Sequence, residues 1–102
     1  MCIRDRMNIN FEWDENKNQI NIEKHGLSFE VSIECWEDPL SFEYEDEEHS
    51  SPPDEIRYYK FGKLRNGIVI RLVYVELLNN VFRIITAYTS KKIEELYYEG
   101  NK

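Results

Sequence analysis

The chain has 102 residues, 41% of them hydrophobic and 14% aromatic, and a formal net charge of -7 at pH 7. That length holds one domain with a single modest core, and the composition is that of a folded chain rather than a disordered tail. No apolar run approaches the roughly 20 residues that span a bilayer, and the acidic balance argues against a general grip on nucleic acid, which rests on neutralising phosphate.

Met1-Cys2-Ile3-Arg4-Asp5-Arg6 precedes a second methionine, Met7, and no apolar core follows it, so it is not a targeting signal. These six residues read as translated library-adapter sequence, which leaves 7–102 as the expected single domain. With Cys2 set aside, Cys35 stands alone, so neither a disulfide framework nor a paired-cysteine metal site is expected. The expectation is a soluble cytoplasmic protein that uses no metal and no cofactor.

Ile9, Phe11 and Trp13 alternate with polar residues, the pattern of a short edge strand. Asp14 can accept from the free N–H groups of a first helical turn, and Gly26 can take the left-handed conformation after a last one. A helix over about 14–25 follows. Its Lys17, Asn21 and Lys24 fall at i, i+4 and i+7 on one face, which suits a bound phosphate or a solvated surface. Ser28 caps a second helix in which Phe29, Ser32, Ile33 and Trp36 have the spacing of a buried face, and Asp38-Pro39 ends it. A weak strand over 40–44 and an exposed loop over 45–55 come next. The loop carries the acidic run, His49-Ser50-Ser51 and Pro52-Pro53.

From Ile56 the pattern turns strongly to β. Segments 56–63, 68–77 and 81–88 form a meander with tight turns at Asn66-Gly67 and Asn79-Asn80. Thr89 or Ser90 caps a last helix whose Ile93, Leu96 and Tyr97 share a face, with Gly100 as its stop. The fold class is therefore α+β: an antiparallel sheet, with the three-stranded meander plus one or two further strands, flanked by three helices.

Two-residue loops at both turns set a register in which Arg57 opposes Glu76 and Glu76 opposes Arg83, with Tyr59 opposite Tyr74. The row is either a cross-strand ion triplet or a site, and a one-residue slip of any strand would dissolve it. As a site it has the parts for RNA cleavage without metal: arginines for the charge on phosphate, Glu76 or His25 as base, and His25 as acid.

The spacing of Trp13-Asp14, Lys17, Asn21 and Lys24-His25-Gly26 resembles the start of the BrnT-like toxins. The resemblance continues through Phe29-Glu30, Asp38-Pro39, Glu48-His49-Ser50, Arg57, Gly62, Tyr74-x-Glu76 and Arg83-Ile84-Ile85-Thr86-Ala87 to Glu95, Tyr98 and Glu99. It implies a RelE-like fold and a ribonuclease toxin of a type II toxin–antitoxin pair. His25, Arg57, Glu76 and Arg83 would be catalytic, and Lys17, Lys24, Tyr74 and Tyr88 would bind RNA. It also implies a BrnA-like antitoxin with a ribbon-helix-helix portion, through which alone the chain would meet DNA. One departure stands out: Tyr88 occupies a position where the family pattern has arginine. That change and the net acidity keep a second reading open, a non-catalytic protein that retains the fold and binds a partner.

The remaining residues point to structure. His49 has no second histidine or cysteine near it and reads as exposed. Cys35, Trp13 and Trp36 read as core. Phe61, Leu72 and Ala87 are expected on one face of the meander and Val73, Val75, Phe82 and Ile84 on the other. Such two-sided strands need cover on both sides, which predicts an antitoxin, or a second copy in a homodimer, over part of the sheet or its helices. The Glu43–Glu48 segment would then be a solubilising rim or meet basic groups of that partner.

Overall fold

The computed structural model describes residues 10–48, 50, 55–77 and 80–102. The adapter-like segment 1–6, His49, the Pro52-Pro53 pair and Asn79 lie outside them.

The Asp14 carboxylate accepts from the N–H groups of Asn16 and Lys17 at 2.8 and 3.3 Å, and Gly26 closes the helix with φ 69°. Between them runs α1, Glu15–His25. Its buried side is polar. Asn21 Nδ2 donates to the carbonyls of Leu27 and Ala87 at 2.9 and 2.8 Å, while its Oδ1 accepts from the Thr86 hydroxyl and the Ala87 N–H. Asn18 Oδ1 accepts from the Phe29 N–H at 2.8 Å. Ile20 and Ile22, by contrast, are left exposed. The helix is docked by hydrogen bonds to backbone groups that strand pairing leaves free, so Asn21 belongs neither to a phosphate site nor to a solvated face.

Ser28 caps α2, Phe29–Ser32, which tightens into a 3-10 helix over Ile33–Glu37. The strands are β1, Asn10–Glu12; β2, Phe42–Glu45; β3, Ile56–Lys63; β4, Val69–Leu77; and β5, Val81–Tyr88. They form one sheet in the order β1-β5-β4-β3-β2, with β1 parallel to β5 and the other pairs antiparallel. The last helix, α3, spans Lys91–Gly100 and is capped by Ser90.

Both turns of the meander are one residue longer than the sequence reading set them, and this changes the register. Lys63 pairs with Val69. Gly67, at φ 91°, donates its N–H to the Leu64 carbonyl at 2.9 Å, and Leu64 N–H meets the Ile68 carbonyl. This is the three-residue hairpin whose last loop residue is left-handed, and it competes with the two-residue turn for an Asn-Gly sequence. At the other end Leu77 pairs with Val81, and Asn80 holds φ 61°. A bulge then inserts Ile85, so that Tyr74 faces Ile84 but Val73 faces Thr86. The rows that result are Arg57–Val75–Arg83, Ile56–Glu76–Phe82 and Tyr58–Tyr74–Ile84. The Arg57–Glu76–Arg83 row does not form, and neither does the Tyr59–Tyr74 pair.

The new register also re-sorts the apolar residues. Leu72, Ala87, Phe82 and Ile84 share the first face with Phe11, Ile70 and Tyr74, packed against Leu27, Phe29, Ile33, Cys35 and Trp36. Phe61 and Val69 share the second face, beneath Ile93 and Tyr97 of α3. Gly62 allows the 3-10 helix to approach, since a Cβ there would lie 2.6 Å from Cys35 Cβ. Gly100 is not the stop of α3: it lies within the helix, where a Cβ would meet Cζ of Phe42 at 2.8 Å, and Asn101 follows as the cap.

Candidate functional site

The helix α3 covers only the Phe61–Val69 end of the second face. Beyond it, alternation along β3, β4 and β5 places Arg57, Tyr59, Arg71, Arg83 and Tyr88 on that same face. Buried Val73 and Val75 lie among them. One row crosses four strands and continues to Asp46, just past the end of β2. Asp46 N–H reaches the Arg57 carbonyl at 2.7 Å, continuing the β2–β3 pairing, and Arg57 is followed by Val75, Arg83 and Glu12. Carboxylates thus stand at both edges of the sheet, with arginines inside them.

Arg71 is the centre of a second group. Its guanidinium carbon sits 4.9 Å from the Tyr59 ring centre and 4.8 Å from that of Tyr88, and it donates a hydrogen bond to the Tyr88 hydroxyl. Cations favour the faces of aromatic rings, and two rings fix the plane of the fork. A hydrogen bond to the Asp46 carboxylate, and then burial, push the Tyr59 phenol's pKa up, so the ring is held from behind in its neutral form. The His25 ring reaches the group from the end of α1, 5.7 Å from that of Tyr88.

Three guanidinium groups therefore occupy one sheet face, and they differ in their partners. Arg83 Nε donates to Glu12 at 2.7 Å, with both side chains about half exposed. The Nε atoms of Arg57 and Arg71 are buried and have no hydrogen-bond partner among the described residues. Buried polar atoms are nearly always satisfied, so each exception asks for a reason, such as a functional role or a bound water or ion. Arginine binds two phosphate oxygens at once and stays charged, so the face suits a phosphate-bearing chain.

Of the residues singled out from sequence, His25, Arg57, Arg83 and Tyr88 reach this face. Glu76 does not. It lies on the first face beside Tyr58, whose pKa is pushed up by burial and by a hydrogen bond to Glu76. Tyr74 is 1% exposed and donates to Glu43 at 3.0 Å, so it packs in the core rather than on the arginine face. Both corrections follow from the one-residue slip of β3 against β4. Lys17 and Lys24 are exposed on α1. Cys35 is fully buried, and burial pushes its thiol up to about 12, as a packing residue requires.

One expectation about charge needs revision. Glu43 binds the buried Lys60 ammonium at 2.7 Å, and Lys60 also lies over the Trp36 ring. Asp46 is buried as well. Glu43 and Asp46 thus hold the sheet's edge, while Glu45, Glu47 and Glu48 stay exposed as a rim. Arg71 is a further residue of this face, and no motif marks it. Its signal is instead a lone arginine in step with Val69, Val73 and Val75, where an apolar residue is expected.

Residues 13–94 match the family described as "Ribonuclease toxin, BrnT, of type II toxin-antitoxin system". The comparison with curated proteins yields no match. Among solved structures, the chain is similar to the 1.1 Å crystal structure of the Brucella abortus ribonuclease toxin, BrnT. The TM-score is 0.59 and the identity 22%, over 79% of this chain and 95% of that one. The likeness is one of fold, an α+β sheet flanked by helices.

Proposed function

Since the chain belongs to the BrnT family of ribonuclease toxins from type II toxin–antitoxin systems, we propose that it cleaves RNA without a metal ion and is neutralised by a BrnA-like antitoxin. The observation that carries this reading is the sheet face with Arg57, Arg71 and Arg83, two of whose guanidinium groups keep a buried Nε with no partner among the described residues. In such a reaction the 2′-oxygen attacks phosphorus as the bond to the 5′-oxygen breaks, leaving a cyclic phosphate and a 5′-hydroxyl. One proton leaves the 2′-hydroxyl and another reaches the 5′-oxygen. The arginines offset the charge that grows on the phosphate oxygens, the task otherwise given to a cation. His25 moves a proton beside Tyr88, and imidazole suits that work near neutral pH. Tyr59 and Tyr88 hold Arg71 in plane and offer rings on which a base can stack.

The exposed Ile20, Ile22 and Tyr44 add apolar surface for an antitoxin or a second copy to cover. A ribbon-helix-helix portion of the antitoxin would bring the pair to DNA. A specific observation also favours the non-catalytic reading: Tyr88 occupies a hydrogen bond of Arg71, and Glu12 occupies Arg83. Expression in bacteria separates the two. We expect growth arrest, relieved when the antitoxin is supplied. Harmless expression of folded protein would overturn the toxin reading and leave the binding module.

A further inference from the structure

The arginines of the open face stand in two places. Arg71 belongs to the row it shares with Tyr88, and Arg57 and Arg83 flank Val75, four residues further along β4. At the rise of a β-strand that separation is about 13 Å. The side chains do not close the gap. Arg71 is held between the rings of Tyr59 and Tyr88, and Arg83 leans away from Arg57 to Glu12 on β1. A single phosphate is too small to meet both places. Each nevertheless has its own buried guanidinium nitrogen with no partner among the described residues, Arg71 Nε in one and Arg57 Nε in the other.

We infer that the face carries two phosphate subsites, and that single-stranded RNA lies along the strands with one phosphate on Arg71 and another, not its immediate neighbour, on the Arg57–Arg83 pair. This rests on the ribonuclease reading above and specifies its substrate. The scissile phosphate sits on Arg71, because the His25 ring and Tyr88 are there. Arg57 and Arg83 take a phosphate further along the chain. They therefore act through binding, and a fragment with one phosphodiester cannot fill both subsites. Two constraints shape the second subsite. Glu12 pairs with Arg83, so an incoming phosphate competes with that carboxylate. Asp46 stands in register with Arg57 and keeps the chain from passing beyond the edge strand. The backbone is thus confined to a track over β3, β4 and β5.

The test compares kcat/KM for a dinucleoside monophosphate with that for a longer oligonucleotide of the same bases, in chelator. For the unsubstituted chain we expect a rise of about tenfold or more once the second subsite is filled, the scale of one charged hydrogen-bonded contact. In Arg57→Ala that rise should disappear. Arg83→Ala should flatten it too, and because this side chain is half exposed the variant keeps the fold available for measurement. The salt dependence of RNA binding adds a reading free of chemistry: each substitution should lower the log–log slope by about 0.7. No rise with length in the unsubstituted chain, or an equal rise in both variants, would overturn the second subsite while leaving cleavage intact. A chain that neither binds nor cleaves any RNA would overturn the ribonuclease reading and this inference together.

Discussion

Asn21 shows how a residue's type can mislead about its place. On a helical wheel it sits with Lys17 and Lys24 and looks like part of a wet or phosphate-binding stripe. In the fold it is 4% exposed and serves four backbone and side-chain groups of the Leu27 turn and β5. Removing it strands the carbonyls of Leu27 and Ala87 without their donor. Asn21→Ala should therefore lower stability by about 1–3 kcal/mol, the cost of unsatisfied buried groups. Urea unfolding measures this, and an unchanged midpoint would show that water replaces the amide. The same residue joins α1, which carries His25, to β5, which carries Tyr88, so the loss should also loosen the site. None of this was legible in the sequence, because three of the four bonds go to β5, 65 or 66 residues away.

At the scale of elements, most boundaries are legible in the sequence and the turn lengths are not. Caps are local chemistry, so Asp14, Gly26, Ser28 and Ser90 were readable in place or among two neighbours. Register is not local. An Asn-Gly pair is compatible with two loop lengths, and the extra residue in each turn moved Glu76 and Tyr74 off the face that bears Arg57 and Arg83. The bulge at Ile85 had no sequence signal either. Asp38 shows how elements are joined. Its carboxylate accepts from the Leu40 and Lys63 N–H groups and from the Tyr97 hydroxyl, tying the 3-10 helix to β3 and α3. Burial raises its pKa, but these hydrogen bonds together outweigh it and hold the group below the ordinary carboxylate value. A depressed carboxylate contributes stability above its unfolded pKa, about 3.9, and loses it as pH falls through the lower folded value. Acid titration of unfolding free energy should show that loss in the native chain and a smaller one in Asp38→Asn. Equal acid dependence in the two would remove Asp38 from this role.

At the scale of the whole molecule, a net charge of -7 and a cationic face coexist because the acids are placed to hold structure. Glu43 neutralises Lys60, Asp46 holds Tyr59, and Glu12 meets Arg83, so much of the negative charge on the sheet is already engaged. This is why composition alone pointed away from RNA while the ordered motifs pointed toward it. Fold class was legible from periodicity and the motif set, but the site was only half legible: His25, Arg57, Arg83 and Tyr88 were named, Arg71 was missed, and Glu76 and Tyr74 were placed on the wrong side. The central claim is that the arginine face cleaves RNA unaided by metal, and the purified chain, free of antitoxin and in excess chelator, tests it most directly. RNA should be cut, and Arg71→Ala should slow the cutting by about 10²–10³, the usual loss when one donor to a developing oxyanion is removed. Arg71→Lys should restore only part of it, since lysine keeps the charge but not the planar fork. Intact RNA in chelator, or full activity in Arg71→Ala, would contradict the account.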